Sequence, residues 1–201
     1  KLDIVGLHFS ELPARVYTSN CNLTHVLGYL RQIDKLRLDY GNYHSNDIIG
    51  CQLGGAIKNI YAIAAGITMG LQLGENAKSA LISRCFAEII RFGEALGANS
   101  NTLFGLSGLG DLILTCNSLK SRNTNFGQLI SSQQKISIDE HLKSLQTTEG
   151  YFTVQAVYKI AEEKNIDMPI TKAVYRILFQ QSSIKKEIAI LLNRPTTKDF
   201  H

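Results

Sequence analysis

The stretch Asp47–Met69, DIIGCQLGGAIKNIYAIAAGITM, decides the fold. It reads as one helix, and its Ala- and Gly-rich part from Gly54 to Gly66 implies a close backbone approach to whatever packs against it. Small residues of this kind suit a face turned toward another domain or a partner chain, since an uncovered apolar face invites association. Lys58 is the one basic residue in the stretch, with tiny neighbours and apolar positions around it.

The helical reading continues downstream. Gly70 and Gly74 bracket the end of the first helix, and a second from Glu75 to Leu96 carries a stripe at Leu81, Cys85, Ile89, Phe92 and Leu96, the spacing of a buried face. Gly97 is a natural stop. Shorter helices are predicted over Leu109–Thr115, Asn123–Ile130 and from Ser137, where Glu140 completes a capping box. Three more span Glu149–Asn165, Ile170–Phe179 and Ser183–Leu192, punctuated by Pro169 and Pro195.

Upstream the pattern changes. Ile4–Leu7, a helix-like Leu23–Gln32 and the alternating Leu36, Leu38 and Tyr40 have an α/β flavour, and the turn-rich Gly41–Asn46 segment makes the best boundary. The predicted organisation is therefore a mixed segment, residues 1–45, followed by a mainly α, multi-helix domain, residues 46–201.

Composition excludes several classes. Apolar residues are 44% and charged residues 19% of 201, which suits a soluble domain with a sizeable core. Net charge is only +4 and scattered, without the basic stripe of a nucleic-acid binder. The longest uncharged apolar run, Ile60–Leu71, falls short of the roughly 18 residues of a membrane span. Four cysteines lie far apart with no C-x-x-C pair, so neither a metal site nor a disulfide framework is signalled, and a reducing, cytoplasmic compartment is expected. The chain opens on Lys1 rather than methionine, as a fragment would.

Three constellations carry chemistry, each with a plainer alternative. In Gly54-Gly55-Ala56-Ile57-Lys58-Asn59, partial desolvation of the lysine would make it a usable acid or base, although a solvated helix lysine fits the same pattern. In Gly105–Cys116 a glycine-rich turn delivers Asp111 into apolar surroundings, where it needs a cationic partner or serves as a helix cap. Thr115 falls one helical turn later on the same face. Ser121-Arg122-Asn123 opens a helix, a place that favours an anion, or forms a cap beside a surface arginine. Glu149-Gly150 is weaker, most simply a helix-start acid. No G-x-G-x-x-G and no phosphate-binding NTPase loop is present, so most of any dinucleotide site lies outside this chain.

Taken in order, Asp47–Gly50, Gly54–Asn59, Ala64–Gly66, Gly105–Leu112, Thr115-Cys116, Ser121–Asn123 and Met168–Thr171 resemble the bacterial NAD(P)-dependent glycerol-3-phosphate dehydrogenase family. The resemblance covers about three quarters of the chain. It implies a helical domain like the carboxy-terminal domains of 6-phosphogluconate dehydrogenase-like enzymes, preceded by a short remnant of a Rossmann domain. It further implies interconversion of sn-glycerol 3-phosphate and dihydroxyacetone phosphate with NAD or NADP, for glycerophospholipid synthesis. Lys58 would accept the hydroxyl proton, with Asp111 tuning it. Asn59, Thr115, Ser121, Arg122 and Asn123 would join them in holding the phosphorylated substrate, and Arg122, Thr147 and Glu149 would touch the cofactor.

Two departures stand beside the resemblance: most of the amino-terminal nucleotide-binding domain is missing, and Thr147 occupies a position where relatives usually carry valine. This chain alone is therefore expected to be inactive. Two rivals are a related two-domain reductase acting on another small acid, and a non-catalytic helical module that forms a homodimer or pairs with another chain.

Overall fold

A computed structural model describes residues 47–132 and 148–194, and every regular element among them is helical. The α/β segment 1–45, the helix expected from Ser137, Thr147 and Pro195 lie outside the described residues. The helices are α1 (Ile48–Gly70), α2 (Glu75–Ala95), α3 (Ser100–Phe104), α4 (Asp111–Cys116), α5 (Arg122–Ser131), α6 (Glu149–Glu163), α7 (Pro169–Phe179) and α8 (Ile184–Leu192), with a π-helical segment, Leu106–Gly110, running into α4.

The first helix is the axis of the domain. Asp47 starts it twice over, one carboxylate oxygen accepting from Gly50 N at 2.8 Å and the other from Asn99 N at 2.8 Å, which also pins the loop before α3. Leu53, Ile57, Ile60 and Ile63 are essentially inaccessible to solvent, and burial of each such side chain is worth about 1.5–3 kcal/mol. By length and composition α1 could cross a membrane, with a mean hydropathy of 1.3 over an 18-residue window, a property that the uncharged run Ile60–Leu71 did not reveal. In the fold 67% of that window is buried by the surrounding helices.

Gly54 and Gly66 of α1 are taken up by close packing inside the domain, whereas Gly55 meets no atom within 4 Å. A Cβ on Gly66 would land on the Thr124 carbonyl oxygen of α5, and one on Gly127 of α5 would land on the Ile63 carbonyl oxygen. The two backbones thus touch where they cross, and α5 is the helix packed most extensively on α1. Gly54 meets the Ser107–Gly108 backbone in the same way.

The predicted stripe of α2 faces inward at Cys85, Ile89 and Phe92, and Gly97 ends the helix with a left-handed φ of 84°. Asn165 plays the same part after α6 with φ 54°, which is why that helix stops at Glu163 and not at Asn165. The short α3 has too few residues to show a period; Asn99 caps it, its side chain accepting from Asn101 N at 2.9 Å. Glu88, buried in the centre of α2, accepts from Ile170 N (2.5 Å), Thr171 N (3.1 Å), Thr171 Oγ1 (2.9 Å) and Tyr61 Oη (3.1 Å). It therefore caps α7 and ties it to α1.

Candidate active site

Midway along α1, Lys58 and Asn59 face the start of three other helices. Lys58 Nζ donates to Asp111 Oδ2 in a direct ion pair, with the side chains 19% and 33% exposed. Partial burial strengthens such a pair over a surface one. The cationic partner that Asp111 needs in its apolar segment is thus Lys58, 53 residues earlier in the chain.

The glycine-rich segment explains how Asp111 arrives there. Expected as a glycine-rich turn running into a helix at Leu109, residues 106–110 form one π-helical turn, closed by Gly110 N donating to Gly105 O at 3.3 Å. Gly108 has no room for a side chain, since a Cβ would fall on the Leu103 carbonyl oxygen. Wider turns of this kind re-aim the residue that follows, here Asp111. Thr115 Oγ1 donates to the Asp111 carbonyl oxygen at 2.6 Å, in keeping with its place one turn later, and Thr124 Oγ1 donates to Thr115 O at 2.8 Å.

Asn59 is held from two sides. Its Nδ2 donates to Glu149 Oε2 at 3.1 Å and, more weakly, to Gly55 O at 3.5 Å; its Oδ1 accepts from Asn123 Nδ2 at 3.1 Å. Asn123 Oδ1 in turn accepts from Gly150 N at 2.9 Å. Arg122 Nη2 lies 3.6 Å from Glu149 Oε1, both side chains about half exposed. Ser121 caps α5, accepting from Thr124 N at 3.3 Å.

The starts of α5 and α6 therefore meet beside Lys58 and Asn59, bringing the positive ends of two helix dipoles and a guanidinium to one place, an arrangement that favours an anion. The fold joins Lys58, Asn59, Asp111, Arg122, Asn123 and Glu149 through direct contacts, with Thr115 and Ser121 adjoining; Thr147 lies outside the described residues. Sequence reasoning named Gly150 only beside the helix-start acid Glu149 and gave it no packing role. A Cβ there would lie 2.5 Å from the Asn59 carbonyl oxygen and 2.8 Å from Asn123 Oδ1, so glycine lets α6 close on α1. A glycine directly after a helix-start acid was the available signal.

Residues 47–189 match the family model described as the C-terminus of NAD-dependent glycerol-3-phosphate dehydrogenase. The glycerol-3-phosphate dehydrogenase [NAD(P)+] of Staphylococcus aureus is 48% identical over 153 residues, covering 76% of this chain and 46% of that protein. Among solved structures, glycerol-3-phosphate dehydrogenase from Coxiella burnetii aligns with a TM-score of 0.71 at 40% identity, over 75% of this chain and 46% of that one. The Saccharomyces cerevisiae enzyme aligns with a TM-score of 0.65 at 29% identity, over 72% and 42%. The chain thus spans less than half the length of these relatives.

Proposed function

This chain belongs to the NAD-dependent glycerol-3-phosphate dehydrogenase family, as its C-terminal part, and on that premise we propose that the complete protein interconverts sn-glycerol 3-phosphate and dihydroxyacetone phosphate with NAD or NADP in the cytoplasm. The observation that carries the proposal is the Lys58–Asp111 ion pair set beside the joined starts of α5 and α6. A secondary alcohol can lose a hydride only if its hydroxyl proton also has somewhere to go. Lys58 supplies that place, and in the reverse direction its ammonium, oriented by Asp111, donates the proton to the developing alkoxide.

Asn59, Thr115 and Ser121 supply neutral polar groups for the substrate, and Arg122 with the α5 start receives the phosphate. The donor set also suits the edge of a dinucleotide: Arg122 offers a cation for a pyrophosphate and Glu149 a carboxylate for hydroxyl or amide donors, both half exposed at the rim. The nicotinamide, when bound, accepts or returns the hydride. Leu106, Ile113, Leu114 and Leu119 are exposed on and around α4, close to Asp111. This apolar face supports a covering half that brings the rest of the nucleotide site to Lys58.

The test is NADH oxidation with dihydroxyacetone phosphate by the complete protein, wild type beside Lys58→Ala. Loss of a positioned proton donor is expected to lower kcat by about 10²–10⁴-fold. Turnover that survives in the variant would remove Lys58 from the chemistry. The same exposed apolar face would also serve a non-catalytic helical module that self-associates, and a wild type that forms a stable dimer without turnover would favour that reading.

A further inference from the structure

Among the described residues, every glycine but one has a local reason to be glycine. Gly74 and Gly97 carry a left-handed φ, and at each of the others a Cβ would come within 4 Å of another part of the protein. Gly55 has neither. It lies inside α1, half-buried, and a Cβ built on it meets no atom within 4 Å beyond its own helix backbone. A glycine in a helix interior weakens the helix relative to alanine, and nothing in the packing of the domain calls for one here.

What Gly55 faces follows from the turn of the helix. At about 100° per residue, it points between Lys58 and Asn59, about 60° from the first and about 40° from the second, while Gly54 points about 40° to the other side of Lys58. The Gly54 side is filled by Ser107 and Gly108, in the segment that delivers Asp111 to Lys58. Beyond Asn59 the space is also taken, by Glu149 at the start of α6 and Asn123 at the start of α5. Helical side chains lean toward the N-terminus of their helix, so Lys58 and Asn59 both lie back along the turn that holds Gly55. The approach of Asn59 Nδ2 to the Gly55 carbonyl oxygen at 3.5 Å reflects that lean. Gly55 is thus open ground between the ammonium that handles the proton and the helix starts that favour an anion.

We propose that Gly55 is a specificity-determining residue of the substrate pocket, where the absence of a side chain leaves the passage for the carbon skeleton of the phosphorylated substrate. This rests on the dehydrogenase reading above. A substrate with its reacting oxygen at Lys58 and its phosphate at Arg122 and the α5 start has to run its carbons across the ground between them, and Gly55 lies there. A methyl group at this position would stand in the path of the substrate while touching nothing in the protein, so it would harm turnover without harming the fold.

Gly55→Ala is made in the complete protein and compared with wild type in kcat/KM for dihydroxyacetone phosphate, in NADH affinity by fluorescence, and in thermal unfolding. One added methyl group in a pocket is expected to lower kcat/KM by about 10–200-fold, with NADH affinity unchanged within about twofold and a thermal midpoint at or above that of wild type. A variant as active as wild type would overturn the proposal. So would a loss that follows weaker NADH binding, which gives the space to the cofactor, or a lowered midpoint, which means that the covering half packs on Gly55 as Ser107 packs on Gly54. A wild type without turnover overturns the assigned reaction and this pocket with it, whereas equal turnover by wild type and variant overturns the pocket alone.

Discussion

Glu88 gives the domain a stability that should fall as pH rises, through a group remote from the chemistry. Burial pushes its carboxyl up from an ordinary 4.5 to about 7, against the opposing pull of hydrogen bonds from Ile170 N, Thr171 N, Thr171 Oγ1 and Tyr61 Oη. In the unfolded chain the same carboxyl keeps its ordinary value, so between about pH 4.5 and 7 the native state holds a proton that the unfolded state has released. The contribution is complete below pH 4.5 and is lost as pH climbs through 7. At about 1.4 kcal/mol per tenfold change in proton affinity, that rise is worth about 3 kcal/mol. Tyr61 and Cys85 face the same carboxylate and are themselves raised by burial, so neither titrates in this range.

The assay is urea denaturation at steps from pH 4.5 to 8, wild type beside Glu88→Gln, whose amide does not titrate. Other carboxylates titrate in both proteins and cancel in the difference. The wild type's stability relative to the variant should decline by about 3 kcal/mol across the range, a movement of the midpoint by about 1–2 M urea. A difference that stays level, or that grows with pH, would refute the assignment of a proton to buried Glu88.

Two adjacent glycines should answer opposite ways to the same change. Gly54→Ala drives a methyl group into the Ser107–Gly108 backbone and should cost about 1–3 kcal/mol in thermal unfolding; Gly55→Ala meets no atom within 4 Å and should gain about 0.5–1 kcal/mol. Equal effects would mean that α1 does not press on the π-helical segment. The 201-residue chain by itself, which lacks the glycine fingerprint of a nucleotide-binding loop, should neither oxidise NADH with dihydroxyacetone phosphate nor quench NADH fluorescence, and measurable turnover by this chain would place the missing nucleotide contacts within it.

From the sequence by itself came the helical character, most helix limits to within a residue or two, and the residues able to carry acid–base and phosphate chemistry. These are local matters: periodicity, glycine stops and caps act over a few positions, so they are written into contiguous stretches such as Glu75–Leu96 or Ser121–Asn123. Even there, Leu106–Gly110 read as a glycine-rich turn before a helix at Leu109 and is a π-helical turn, in which Gly108 lies against the Leu103 backbone of the preceding helix with no room for a side chain. Which residues meet was decided only by tertiary structure. Lys58 and Asp111 are 53 positions apart, and Asn59 and Glu149 are 90. Their contact depends on α1 being encased by α4, α5 and α6, and on glycines at 54, 66, 127 and 150 that let backbones approach closely. A sequence shows that a glycine is small, but only the packed chain shows what takes the space its side chain would have filled.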